Sequence, residues 1–97
     1  MNELKMLMII VERRHKETVE AALTERRVLG YTEIPTVYGA GQTEPRLGSR
    51  AFPETSSIIF TVAEDEKIDE IVKAIDTSCA DCRRSMRLLV WSVERMI

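Results

Sequence analysis

Three groups of residues have types and spacings suited to chemistry. The first is CADC at 79–82, where Cys79 and Cys82 stand in the C-x-x-C arrangement of redox dithiols and zinc sites. Zinc takes four ligands, and the one histidine, His15, leaves a single chain short of that number. A site shared between subunits would make it up. Cys79 also lies four residues after Ile75, on the same expected helical face, so packing is the favoured role and a redox or metal role the lesser one.

The second group is GAG at 39–41, followed by Gln42 and Arg46. Gly39 and Gly41 let the backbone approach a ligand and present amide N–H groups, and Gln42 and Arg46 can add side-chain contacts. This is not a P-loop, because no Gly-Lys-Ser/Thr follows, nor a dinucleotide fingerprint, because no helix opens after it. A bare G-x-G serves equally well as a strand-end bulge. The third group is Arg83, Arg84 and Arg87, whose guanidinium forks match phosphate but also suit a solvated loop end. RRHK at 13–16 opens the first helix, where it is either an anion site or a solvated turn. Glu64, Asp65 and Glu66 read as helix-start charges. No catalytic set assembles around the one histidine, and no enzyme is expected.

These groups must be positioned by a small number of elements. Residues 4–11, LKMLMIIV, form an apolar run of strand length. Over 14–27 the pattern turns helical, with Val19, Ala22 and Leu23 on one face and Gly30 as the expected stop. A second strand is expected over 31–38, and Pro35 inside it requires an edge position or a bulge. A third strand covers 57–63. A second helix starts at Asp65, with Ile68, Ile71, Val72 and Ile75 at helical spacing. The fourth strand covers 86–93. The order β-α-β-β-α-β predicts an α+β, ferredoxin-like sandwich: a four-stranded antiparallel sheet with two helices on one face. Strands one and three are then central, and two and four are edges.

Both sheet faces read as apolar. In the first strand Leu4, Met6, Met8 and Ile10 alternate with Leu7, Ile9 and Val11, and the third and fourth strands repeat this. A face left to solvent would be polar. Two helices cover only one face, so the other predicts a homo-oligomer packed sheet to sheet.

The chain has 97 residues, expected as one domain over 1–97. A net charge of −2 argues against a nucleic-acid coat, and the central strands offer only Phe60 as a base-stacking aromatic. No apolar run is long enough to insert into a membrane. The N-terminus lacks the basic segment of a signal peptide, so a cytoplasmic location is expected, with the cysteines as thiols rather than a disulfide.

The chain resembles the PII-like signalling proteins, the superfamily around nitrogen-regulatory protein PII, over nearly its whole length. VYGAGQ at 37–42 is similar to the family's G-x-G-x-Q at the base of the regulatory T-loop, and LVWSVERMI at 89–97 to its V-x-P-V-E-x-V-I ending, with Ser92 in place of proline. GSRAFP at 48–53 looks like the shortened loop of divergent members. The resemblance implies a ferredoxin-like homotrimer without an obligatory cofactor. It further implies that an adenine nucleotide (ATP, ADP, AMP or cyclic AMP) binds as effector between subunits. By position, Gly39, Gly41 and Gln42 match the loop base at that cleft. Arg87 takes the place of the lysine in the family's G-D-G-K segment, whose glycines are replaced by RSM at 84–86. The loop after Gln42 is shorter than a full T-loop and holds no tyrosine.

The expected function is a non-enzymatic sensor in which effector binding orders a mobile 42–56 segment. That segment then touches a protein target, a transporter or an enzyme. The alternative is a metal-binding protein like the CutA-type cation-tolerance trimers, with Cys79 and Cys82 as ligands and His15 as a further candidate. A third reading is a structural oligomer assembled through the loop.

Overall fold

A computed structural model of the chain describes residues 3–28, 30–41 and 44–97. Strand β1 (Leu4–Glu12) runs through a 3₁₀ turn (Arg13–His15) into helix α1 (Lys16–Glu25). Strands β2 (Thr32–Val37) and β3 (Ser56–Glu64) follow, then helix α2 (Asp65–Ser78), a second 3₁₀ turn (Cys82–Ser85) and β4 (Arg87–Ser92). The strands lie in the order β2-β3-β1-β4, all pairs antiparallel, so the two most apolar strands are central as the sequence requires.

Alternation along the strands builds the core. Leu7, Ile9 and Val11 of β1 and Ile59 of β3 are fully buried beneath the helices. They pack with Val19, Ala22 and Leu23 of α1 and Ile68, Ile71, Ala74 and Ile75 of α2. Burying an aliphatic side chain of this size contributes ~1.5–3 kcal/mol. The acidic first turn of α2, Asp65 and Glu66, complements the positive end of its dipole.

Pro35 acts as expected of an edge-strand proline. Pairing of β2 with β3 runs from Thr32 to Ile34 and resumes at Val37, with a register shift between. The Ser57 hydroxyl donates to the Pro35 carbonyl at 2.6 Å, which satisfies an acceptor displaced from the ladder.

Helix α1 stops earlier than its sequence pattern indicates. Its cap is Arg26, and Arg27 takes the left-handed conformation at φ 57°. The Val28 N–H reaches the Leu23 carbonyl at 3.1 Å and the Arg27 N–H reaches Thr24 at 3.0 Å, which is the Schellman pattern. An arginine therefore holds the position that glycine usually takes, and Gly30 lies beyond the helix end.

Pairing also defines the face away from the helices. Met6, Met8 and Ile10 lie opposite Val62, Phe60 and Ile58; Leu89 and Trp91 lie beside Met8 and Met6; Ile34 lies beside Ile58. At the margins Ile34, Leu89 and Trp91 are 41%, 43% and 44% exposed. The second face is thus a continuous apolar surface, and among the described residues no helix lies on it. Among the described residues, no helix is long and apolar enough to cross a membrane.

Candidate functional site

At one end of the open face lies a cleft of about 900 Å³, lined by residues 37–41, Glu44, Arg46, Ser56, Ile58, residues 83–89 and Ile10. Three parts of the sequence build it. The β2–β3 connection supplies Tyr38, Gly39 and Gly41. The turn before β4 supplies Arg83, Arg84 and Ser85. The first residue of β4 supplies Arg87. The floor is apolar, from Ile10, Ile58 and Leu89, and is continuous with the uncovered sheet face.

The loop base is a short ladder. Gly39 and Arg46 exchange both backbone hydrogen bonds, Gly39 N–H to Arg46 at 3.0 Å and the reverse at 2.7 Å. Gly41 lies beyond it, where a Cβ would stand 3.9 Å from an Arg87 guanidinium nitrogen. The structure therefore brings Gly39, Gly41 and Arg87 to one cleft. Gln42 lies outside the described residues.

Arg46 lines the cleft, but its guanidinium is already engaged. It donates to the Ser56 hydroxyl at 3.0 Å and to the Ser85 carbonyl at 2.6 Å, and lies 3.9 Å from Glu12 Oε1. Its side chain is only 11% exposed. This arginine positions the two sides of the cleft, a different task from the ligand contact expected of it. Burial works to raise the Glu12 pKa. Hydrogen bonds from Arg14 and Ser85, with the charges of Arg14 and Arg46, outweigh that and hold the carboxyl below its ordinary value.

The arginines of the turn divide. Arg83 is tied to Asp76 at 2.6 Å. Arg84 and Arg87 are exposed and, among the described residues, have no carboxylate partner. Guanidinium forks suit a phosphorylated ligand, and the apolar floor suits a flat ring. Sequence reasoning grouped Arg84 with Arg83 and Arg87 and passed over Tyr38 and the floor. The available signal for Tyr38 was its adjacency to the glycines.

Of the 42–56 segment expected to order on effector binding, residues 44–56 are described. Its described part is folded back on itself, with Gly48 N–H bonded to Glu54 at 3.1 Å and Ser49 N–H to Phe52 at 2.9 Å. Arg13 N–H bonds to Thr55 at 2.9 Å, which anchors the end of the loop. Gly48 has φ +63°, and a Cβ there would meet the Tyr38 ring at 2.9 Å, so glycine is required for this turn.

Cys79 and Cys82 lie away from the cleft glycines. The expectation of free thiols is not met: the two are joined as a disulfide. Helix α2 ends at Ser78, Cys79 caps it, and the next turn returns the chain to a Cα separation of 5.4 Å between the two cysteines. Cys79 still packs against the core, as its spacing from Ile75 implies, and Cys82 is buried within it.

Comparison with known proteins bears on the fold and the family. The chain has a TM-score of 0.77 to CPII of Thiomonas intermedia K12 bound to ADP and bicarbonate, at 23% identity over 93% of this chain and 85% of that one. A second structure of CPII, bound to ADP, AMP and acetate, gives 0.72 at 21% identity over 97% and 91%. A DUF3240 family protein of Shewanella baltica OS155 gives 0.76 at 13% identity over 100% and 97%. No curated protein matches the sequence. At these identities the structural likeness establishes the ferredoxin-like fold. The family model described as nitrogen regulatory protein P-II matches residues 4–96, nearly the full chain. The chain therefore belongs to the nitrogen regulatory protein P-II family.

Proposed function

We propose that this protein is a non-enzymatic regulator that binds an adenine nucleotide in the cleft between loop base and β4. It acts as a homotrimer and reports occupancy through residues 42–56 to a protein target, a transporter or an enzyme. The carrying observation is the approach of Gly41 to Arg87, two positions far apart in sequence that meet across one cleft. Gly39, Gly41 and Gln42 supply the loop side, Arg87 and Arg84 the phosphate side, and Arg46 the brace between them. The adenine nucleotides bound in CPII support this choice of ligand.

The open face supports assembly. Its apolar residues continue into the cleft floor at Ile10, Ile58 and Leu89, so a second copy covering the face also closes the cleft. Nucleotide and assembly are then linked, because the subunit alone offers only part of the wall. The folded state of residues 44–55 points to a signal by displacement of a formed loop. A phosphate drawing Arg87 and the loop base together pulls on the Gly39–Arg46 ladder.

Light scattering on the purified protein tests the assembly, with a trimer mass expected. Calorimetry with ATP, ADP, AMP and cyclic AMP tests the ligand, and silence with all four defeats the nucleotide reading.

A further inference from the structure

On the helix side of the sheet, the start of α1 meets the end of α2. His15 caps α1, Cys79 caps α2, and Cys82 opens the following 3₁₀ turn. One ring nitrogen of His15 and the two sulfurs lie within 4.8 Å of one another. Among the described residues, this is the only trio of histidine, cysteine or acidic side chains close enough to share a cation. The packing of two helices makes this group, since His15 is remote from both cysteines in sequence.

We propose that, in the reduced protein, His15, Cys79 and Cys82 form a three-coordinate site for a soft, thiophilic cation, copper(I) by its chemistry. Two thiolates and one imidazole are the donors such a cation takes. Zinc would want a fourth ligand, and none of the described side chains supplies one. The Cys82 N–H points at the Cys79 sulfur at 3.3 Å. Cys82 is 1% exposed in an apolar setting, while His15 and Cys79 are half-buried and leave an approach for the ion.

The disulfide is the competing state, because it withdraws both sulfurs from coordination. A dithiol reductant opens it by exchange through a mixed disulfide. Two cysteine thiols form, and the reductant closes into its own cyclic disulfide. Copper(I) then displaces the two thiol protons. The turn that Cys82 opens also supplies Arg83, Arg84 and Ser85 to the cleft, yet the metal site uses no cleft ligand and does not rest on the nucleotide reading.

The test is anaerobic titration with copper(I) against bicinchoninate, a chromogenic chelator, after reduction with dithiothreitol and its removal. One copper per chain is expected for the reduced protein and none for the disulfide form. Cys79→Ser should abolish tight binding, and His15→Ala should weaken it about tenfold or more, as for loss of one of three ligands. X-ray absorption of the loaded protein should give two sulfurs and one nitrogen around the metal. Surrender of all copper by the reduced wild type overturns the proposal, as does unchanged affinity in the folded His15→Ala variant. Preferential retention of zinc over copper overturns the choice of cation.

Discussion

The Arg46 guanidinium donates to the Ser85 carbonyl at 2.6 Å and so joins the β2–β3 connection to the turn before β4. The same group holds Ser56 and approaches Glu12, so one side chain braces three segments around the cleft. Charge-assisted bonds from a largely buried arginine contribute more than a surface ion pair does. Arg46→Met is expected to lower unfolding stability by about 2 kcal/mol. Arg46→Lys should recover part of that at most, because one ammonium cannot reproduce the fork. Urea denaturation checks both. Hydrogen exchange at the Gly39 and Arg46 amides should accelerate in the methionine variant.

Glu12 sets a component of the acid sensitivity. Its folded pKa lies below the ordinary carboxylate value of 4.5, so its contribution is fully present above that value and is lost as pH falls through the lowered one. Stability measured between about pH 6 and pH 3 should therefore fall more steeply in the wild type than in Glu12→Gln. Equal slopes would show that Glu12 contributes nothing to the acid limb.

Arg27 carries a left-handed conformation that glycine adopts freely. Arg27→Gly keeps the Schellman bonds and relieves the side-chain penalty. A stability gain of about 0.5–1 kcal/mol is expected by chemical denaturation, small because glycine also loosens the unfolded chain. A loss of that size would mean that the arginine side chain is itself needed at the helix end.

Gly48 and Gly39 should respond to different extents to the same change. Alanine at Gly48 meets the Tyr38 ring and the Thr55 methyl, at 2.9 and 3.0 Å, in a backbone conformation unfavourable for alanine. The expected cost is about 1–2 kcal/mol. Alanine at Gly39 meets nothing within 4 Å and should change stability by less than about 0.5 kcal/mol. Thermal melts of the two variants separate steric need from mere loop composition.

Much of this was legible in the sequence where the cause is local or periodic. Alternation in β1 and β3 announces a sheet apolar on both faces, and Pro35 announces an edge strand with a bulge. Gly39 and Gly41 mark the loop base without their partner. What failed depended on tertiary contact. Nothing near Arg27 signals that it ends α1 in place of Gly30, because the Leu23–Val28 bond compensates for the conformation. The role of Arg46 is set by Ser85 and Glu12, neither close in sequence. The sequence did name His15, Cys79 and Cys82 together as an alternative ligand set, and the packing of two helix ends is what brings them to one place.

The central claim is that the cleft between Gly41 and Arg87 is the nucleotide site. Calorimetric titration of ADP into the wild type and into Arg87→Ala tests it most directly. Saturable binding by the wild type is expected, weakened about tenfold or more in the variant with its assembly unchanged. Equal affinity in the two proteins, or no binding by the wild type, would contradict it.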